Sequence, residues 1–153
     1  MEENRAKDQA MAQLSHITEM VTRLRHATNC DGTNCTLRDD EIPNIMGMSD
    51  NITPDEIRAK YHDLDDARET IWDSPISVQV RSDWQNLHDG DSLKPYEYNI
   101  LMCTGGPAVR IVGEIGESSP RIEYQDWGTP WTELTIDDDE RQILVDYVGE
   151  FIS

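Results

Sequence analysis

The chain has 153 residues, a typical length for one domain that buries its own core. Its net charge of −18 disfavours direct binding to nucleic acids and to anionic membrane surfaces, and it favours basic protein partners. The first ten residues contain no apolar run, no segment is long enough to cross a membrane, and the three cysteines cannot all pair. We therefore expect a single domain over residues 1–153 and a cytoplasmic protein.

The negative charge is concentrated in two blocks of the chain. Residues 39–73 hold eleven acidic and three basic side chains, and residues 114–150 hold eleven acidic and two basic ones. Residues 1–38 are neutral overall, and residues 74–113 have a net charge of −1. A basic partner would explain this pattern, and so would solubility or adaptation to salt.

A long amphipathic helix is predicted over residues 3–27. Its apolar residues recur every three or four positions and share one stripe, formed by Ala10, Leu14, Ile17, Val21 and Leu24. The stripe packs either into the core of the same molecule, which we favour, or against a second copy in a homodimer. We divide the domain into this N-terminal helix (1–28), a loop (29–52) with a short turn around Ile45, and a main body (53–153).

The main body begins with a second helix over residues 53–72. Thr53 is a suitable N-cap, Pro54 fits the first helical position, and Glu56 stands three residues after the cap. The helix ends before Pro75, because proline disfavours helical backbone in the residue that precedes it.

Four strands follow, predicted from apolar alternation and from continuous apolar runs at residues 76–81, 98–103, 109–115 and 121–127. Short loops join them, so we expect an antiparallel meander. A last helix over residues 137–152 is capped by Asp137, with Glu140 at its third position. The predicted fold class is α+β, with a four-stranded antiparallel sheet, two N-terminal helices and one C-terminal helix, the helices packed on one face.

Few residues form a pattern that indicates catalysis or metal binding. His26, Cys30 and Cys35 fall within ten residues, but their spacing lacks the paired cysteines of structural zinc sites, and no fourth ligand is near. We interpret the cysteines as incidental thiols of an exposed loop, and we predict no metal, no cofactor and no catalytic residue. Gly105 and Gly106 fit a hairpin turn better than a phosphate-binding loop, because a strand follows them and not a helix.

Two acidic clusters are candidate binding sites. On one continuous second helix, four carboxylates lie opposite the apolar stripe and within about 40° of the first of them, at Asp55, Asp66, Glu69 and Asp73. The second cluster is formed by Asp137, Asp138 and Asp139. Such carboxylates either imitate the phosphates of a nucleic acid towards a basic partner or form a solvated helix face.

Two tryptophans, Trp127 and Trp131, flank a Gly-Thr-Pro turn after the last predicted strand. They form either a corner of the core, which we favour, or a rigid exposed aromatic patch of the kind found at binding hot spots. We keep both residues with the acidic clusters as candidate binding residues.

Two stretches of the sequence carry a family resemblance, EYNILMCTGGPAVRIVG at 97–113 and EYQDWGTPWTE at 123–133. Through them, residues 64–150 resemble a family of small acidic proteins encoded on plasmids, integrative elements and phages of proteobacteria. Proteins from that genetic setting include anti-CRISPR inhibitors. The resemblance therefore implies an inhibitor of a type I CRISPR complex in the cytoplasm of a bacterial host cell, and it implies no catalytic residues.

Three functions remain open. The first is stoichiometric inhibition of a nucleic-acid-handling defence complex, by acidic faces that cover its basic surfaces or by wedging between its subunits. The partner would be a basic nucleic-acid-binding protein or a CRISPR effector complex, and the protein would act as a monomer or homodimer. The second is a non-inhibitory accessory or regulatory protein of a mobile genetic element, dimeric through the stripe of the first helix. The third is an enzyme with a site near Asp126 and Trp127. We expect the first and no enzymatic activity.

Overall fold

The computed structural model describes residues 4–38, 41–42, 53–82, 84 and 94–152. The helices in these ranges are α1 (Arg5–Asn29), α2 (Pro54–Tyr61), α3 (Leu64–Trp72) and α4 (Asp138–Gly149). The strands are β1 (Ser77–Ser82), β2 (Pro95–Cys103), β3 (Ala108–Glu114), β4 (Arg121–Gln125) and β5 (Thr132–Glu133). None of these helices is both long and apolar enough to span a membrane. The turn predicted around Ile45 lies outside the described residues.

The five strands form one antiparallel sheet in which each strand pairs with its neighbours in sequence. This confirms the α+β class and the meander, but the prediction of four strands and three helices was wrong in detail. The missed strand, β5, pairs Thr132 and Glu133 with β4. A strand of two residues is too short to show a recognisable alternation of apolar and polar side chains in the sequence.

The helix α1 lies on one face of the sheet, where it packs against α3, α4 and strands β3 and β4. All five residues of its apolar stripe are buried in one cluster with inward-facing side chains of the sheet, among them Ile100, Ile111 and Ile122. The stripe is therefore used inside the monomer, which was the favoured alternative. It is not available as the surface of a homodimer.

The second helix is not continuous, which corrects the prediction for residues 53–72. α2 ends at Tyr61, His62 follows as its C-cap, and the backbone of Asp63 is extended. Asp63 then caps α3, because its Oδ1 accepts a hydrogen bond from the Asp66 N–H at 3.1 Å. A side chain that satisfies the first N–H groups stabilises a new helix start. The acidic run at residues 63–66 therefore marks the boundary between two helices, although helical periodicity alone places it in the middle of one helix.

Both predicted N-caps are present. Thr53 Oγ1 accepts a hydrogen bond from the Glu56 N–H at 3.2 Å. At the start of α4, Asp137 accepts from the Glu140 N–H at 2.8 Å, and the Glu140 carboxylate accepts in return from the Asp137 N–H at 3.1 Å. This reciprocal pair satisfies two N–H groups of the first turn. The Asp137 carboxylate therefore has a structural role.

A buried arginine joins α1 to both parts of the broken helix. Arg23 is 1% exposed. Its guanidinium donates to the carbonyl oxygens of Lys60 at 2.5 Å and Tyr61 at 3.3 Å, at the end of α2. It also donates to Thr70 Oγ1 at 3.3 Å and to Asp66 Oδ2 at 2.6 Å, both on α3. A charge can be buried only when it is paired and hydrogen-bonded in this way.

We expect Arg23→Ala to lower the free energy of unfolding by about 3–5 kcal/mol, because it leaves the partly buried Asp66 carboxylate without its cation and the Tyr61 carbonyl without the donor that Arg23 supplies. Arg25→Ala is the matched control on the same helix. Arg25 forms an exposed ion pair with Asp146, whose loss costs about 0–1 kcal/mol. Urea unfolding of both variants, followed by circular dichroism, gives the two values. Equal losses in the two variants would contradict the role assigned to Arg23.

Candidate functional site

Two histidines and two cysteines form a cluster near the ends of α1 and α2. His26 lies in the last turn of α1, Cys30 follows that helix, and Cys35 is in the next loop. His62 is the C-cap of α2. One ligand atom from each residue lies within 4.8 Å of the ligand atoms of the other three. The expectation that no fourth ligand is near therefore holds only along the sequence, because the fold adds His62.

The cluster is tightest around its two imidazole rings. The Nε2 atoms of His26 and His62 are 2.9 Å apart. The sulfur of Cys35 lies 3.5 Å from the first of these nitrogens and 3.3 Å from the second. Two soft sulfur ligands and two imidazole nitrogens thus converge on one point, and this set suits zinc and other thiolate-binding metals.

The loop after α1 turns back because two of its residues have left-handed backbone. Gly32 has a φ of 95° and Asn34 a φ of 59°. Glycine adopts positive φ without strain, and asparagine tolerates it better than most residues. A Cβ atom on Gly32 would also stand 3.4 Å from Cγ of His62. Glycine therefore allows the loop to lie directly against that imidazole ring.

The ring of His62 is held in one orientation. Its Nδ1 lies 2.7 Å from the carbonyl oxygen of Arg58, which can only accept a hydrogen bond. Nδ1 therefore carries a proton, and in the neutral ring Nε2 presents its lone pair to the cluster. Backbone carbonyl partners of this kind fix the tautomer of histidines that bind metals. His62 is also buried, with 7% of its surface exposed.

The surroundings favour the protonation states in which these groups bind metals. Burial, and then the nearby His62, lower the pKa of His26, which favours its neutral ring. A hydrogen bond with the Leu37 backbone, and then hydrogen bonds with His62 and Cys30, lower the pKa of the Cys35 thiol. Metal ions bind neutral imidazole and thiolate, so both shifts act in the same direction.

The break in the second helix separates the four carboxylates predicted to share one face. Asp55 lies on α2 and is exposed, whereas Asp66 lies on α3 and forms the ion pair with Arg23 at 2.6 Å. The predicted alignment on one helix is therefore wrong, and the Asp66 carboxylate is engaged within the fold. Glu69 and Asp73 remain exposed.

A different row of carboxylates runs along α3. Asp65, Glu69 and Asp73 stand four residues apart and are all exposed, and within the described parts of the chain none of them forms an ion pair. At 1.5 Å per residue the row extends over about 12 Å. Asp65 was missed because it lies about 80° from Asp73 on a continuous helix, outside the predicted group.

The second predicted cluster lies at the start of α4. Asp137 is the N-cap, while Asp138 and Asp139 follow it in the first turn. Both are exposed and form no ion pair with any residue that the structure describes. Carboxylates in the first turn also interact favourably with the helix dipole, so this cluster stabilises α4 whether or not it binds a partner.

The two acidic clusters lie near opposite ends of α1. Near its start, a groove is lined by Lys7 of α1 together with Asp137 of α4. Towards its end, Arg23 binds Asp66 of α3. Lys7 and Arg23 are sixteen residues apart, which corresponds to about 24 Å along the helix. The clusters are therefore two separate charged surfaces.

The two candidate tryptophans have different surroundings. Trp127 lies in the turn between β4 and β5 and is 85% exposed, so the favoured core corner was wrong for this residue. The turn is closed instead between Asp126 and Thr129: the Asp126 carbonyl accepts a hydrogen bond from the Thr129 N–H at 3.1 Å, and Thr129 Oγ1 accepts one from the Asp126 N–H at 3.0 Å. Trp131 is half-buried, and the guanidinium carbon of Arg110 lies 3.9 Å from its ring centroid. Trp127 is exposed because its side chain lies at the tip of a short turn, where no helix or strand within the ranges that the structure describes lies over it.

We expect Gly32→Ala to lower the free energy of unfolding by about 1–2 kcal/mol, because alanine is strained at positive φ. It should also speed the alkylation of Cys30 and Cys35, since the loop that lies against His62 shifts when the strained left-handed backbone relaxes. Gly105→Ala is the matched control, because Gly105 has a φ of 98° and nothing lies within 4 Å of its added Cβ. Urea unfolding and peptide mapping of iodoacetamide-treated protein measure the two effects. Identical alkylation rates in both variants would contradict the contact between loop and ring.

No family model, no curated protein and no solved structure matches this chain. The resemblance to small acidic proteins of mobile genetic elements therefore stays a prediction.

Proposed function

We propose that this protein acts by stoichiometric binding, without catalysis, as an inhibitor of a bacterial nucleic-acid-handling defence complex. The observation that carries the proposal is the exposed row of Asp65, Glu69 and Asp73 on α3. A row of carboxylates without cationic partners among the described residues is complementary to a groove lined by lysine and arginine. Complexes that hold nucleic acids present such grooves, because they must neutralise phosphates.

Apolar side chains next to the row give the same surface a source of affinity. Trp72 and Ile76, on either side of Asp73 in the chain, are 53% and 58% exposed. Val78 and Val80 continue this apolar surface on β1, which lies at one end of the strand order. Interfaces between proteins commonly combine large apolar anchors with a polar rim.

The density of charge favours complementarity with a basic surface over imitation of a duplex. The row presents three carboxylates over about 12 Å. Duplex DNA carries one charge per about 1.7 Å of its axis, which is about seven charges over the same length. The row therefore supports attraction to basic groups, and the apolar residues beside it support a wedge between subunits as well as a cover over a groove.

The specific partner that we propose is a type I CRISPR effector complex. This choice depends on the resemblance of residues 64–150 to proteins of mobile genetic elements, whereas the basic character of the partner depends on the carboxylates alone. The negative charge of the chain also makes nucleic acid itself an unfavourable ligand.

The double variant Glu69→Lys/Asp73→Lys should bind a purified type I effector complex at least about tenfold more weakly, a loss of about 1.4 kcal/mol, because it places two cations against a basic surface. Asp138→Lys/Asp139→Lys tests the second cluster in the same way. Neither double variant changes Asp66 or Asp137, because these two residues have structural roles. Surface plasmon resonance at two salt concentrations measures affinity, and weaker binding at higher salt is expected.

Glu19→Lys/Glu117→Lys is the control. It changes the net charge by the same amount at two exposed acids outside both clusters, and it should weaken binding less. Equal effects from all three double variants would mean that only the overall charge of the protein matters. Undiminished binding in both cluster variants would reject the proposed acidic surface, and no binding by the unmodified protein would reject the proposed partner.

A further inference from the structure

We propose that His26, Cys30, Cys35 and His62 bind one zinc ion in a closed tetrahedral site that fastens α2 to the end of α1. Three of the side chains come from residues 26–35 and the fourth, His62, stands 27 residues beyond Cys35, yet one ligand atom of each lies within 4.8 Å of the others. The inference is independent of the proposed function, because it concerns what holds this part of the fold together.

The distances agree with those of a zinc site. With zinc–nitrogen bonds of about 2.0–2.1 Å and zinc–sulfur bonds of about 2.3 Å, a tetrahedron places two nitrogens about 3.3 Å apart and nitrogen and sulfur about 3.6 Å apart. The sulfur of Cys35 is 3.5 and 3.3 Å from the nitrogens of His26 and His62. The two nitrogens are 2.9 Å apart. Movements of a few tenths of an ångström therefore complete the geometry for these three ligands, and the sulfur of Cys30, which lies within 4.8 Å of the other ligand atoms, would move closer by up to about 1 Å.

The number and type of the ligands identify the metal and its role. Two thiolates with two imidazoles in a tetrahedral arrangement select zinc over magnesium or calcium, which prefer oxygen ligands. Two thiolates also balance the charge of the dication. Four protein ligands leave no position for water or substrate, which is typical of structural zinc and not of catalytic zinc. The bond from His62 Nδ1 to the Arg58 carbonyl supplies the outer contact that such ligands make.

The packing around α2 explains why a metal would be needed there. Only Tyr61 of this helix is buried, and α2 contributes no residue to the main hydrophobic cluster. Eight residues of helix are also too few to be stable alone. Among its polar contacts, α2 is held by the bonds of Arg23 to its last carbonyl groups, by the hydrogen bond that Arg58 donates to the Leu37 carbonyl at 2.6 Å, and by the position of His62. A zinc ion would supply the stability that apolar burial does not supply.

The first experiment uses the unmodified full chain, prepared under reducing conditions. We expect one zinc ion per chain by elemental analysis after purification. Replacement by Co²⁺ should give the intense visible absorption of tetrahedral cobalt together with sulfur-to-cobalt charge transfer. Zinc at about 100 times its dissociation constant should raise the Tm of the metal-free protein by about 5–10 °C, and magnesium should not.

The second experiment assigns the ligands through matched pairs of variants. Cys35→Ser should weaken the charge-transfer band, because Cys30 is then the one remaining thiolate of the site, and it should weaken zinc binding by more than the roughly 10–100-fold that loss of an outer contact costs. Cys103→Ser, a cysteine of β2 outside the cluster, should leave both unchanged. On α1, His26→Asn should weaken binding in the same way, whereas the exposed His16→Asn should not.

Three results would overturn the inference, and the first two need no variant. One is a cobalt spectrum of six-coordinate type or no cobalt binding at all. Another is a disulfide between Cys30 and Cys35 in protein that was never exposed to oxidant, found by mass spectrometry without reduction. The third is zinc retained at full affinity in both Cys35→Ser and His26→Asn.

Discussion

A guanidinium that loses its water must find hydrogen-bond acceptors inside the protein, and Arg23 imposes this requirement on the helical layer. Backbone carbonyl oxygens within a helix are already bonded, but those of the last turn are free. α2 therefore ends where the carbonyl groups of Lys60 and Tyr61 reach the guanidinium. α3 begins again at once, so that Asp66 completes the pairing with a negative charge. The interruption of one helix into two thus follows from the needs of a single buried charge.

The same interruption decides the position of His62. As the C-cap of α2 it lies outside both helices, and its ring reaches the end of α1 beside His26. Arg25, two residues after Arg23, points to another side of α1 and pairs with Asp146 of α4. Arg23 and Arg25 of α1 thus bind acidic residues of the helices that flank it. Part of the acidic excess of this protein is therefore paired within its own fold, whereas the exposed carboxylates on α3 and at the start of α4 form no ion pair with the described residues.

Features encoded by a few adjacent residues could be predicted, and features that depend on distant contacts could not. The caps at Thr53 and Asp137 are local, and the meander follows from strands joined by short loops. The break at His62 has a local signal as well, since Asp63 stands three residues before the N–H that it caps. That signal was hard to recognise because other acidic residues follow Asp63 closely. The apolar periodicity of residues 57–71 also continues across the break, as it would in one helix. The cluster needed His62 to come from 27 residues beyond Cys35, which no spacing rule anticipates.

The position of α1 in the chain has a consequence for biosynthesis. A protein emerges from the ribosome with its N-terminus first, so α1 is complete long before the strands and the last helix against which its apolar stripe packs. α3 follows within about forty residues and brings the buried Ala67 and Ile71 together with the partners of Arg23. A nascent chain can therefore assemble α1, α2 and α3 as a first unit. The sheet, which grows by pairing each new strand with the previous one, then closes over a stripe that is already partly covered.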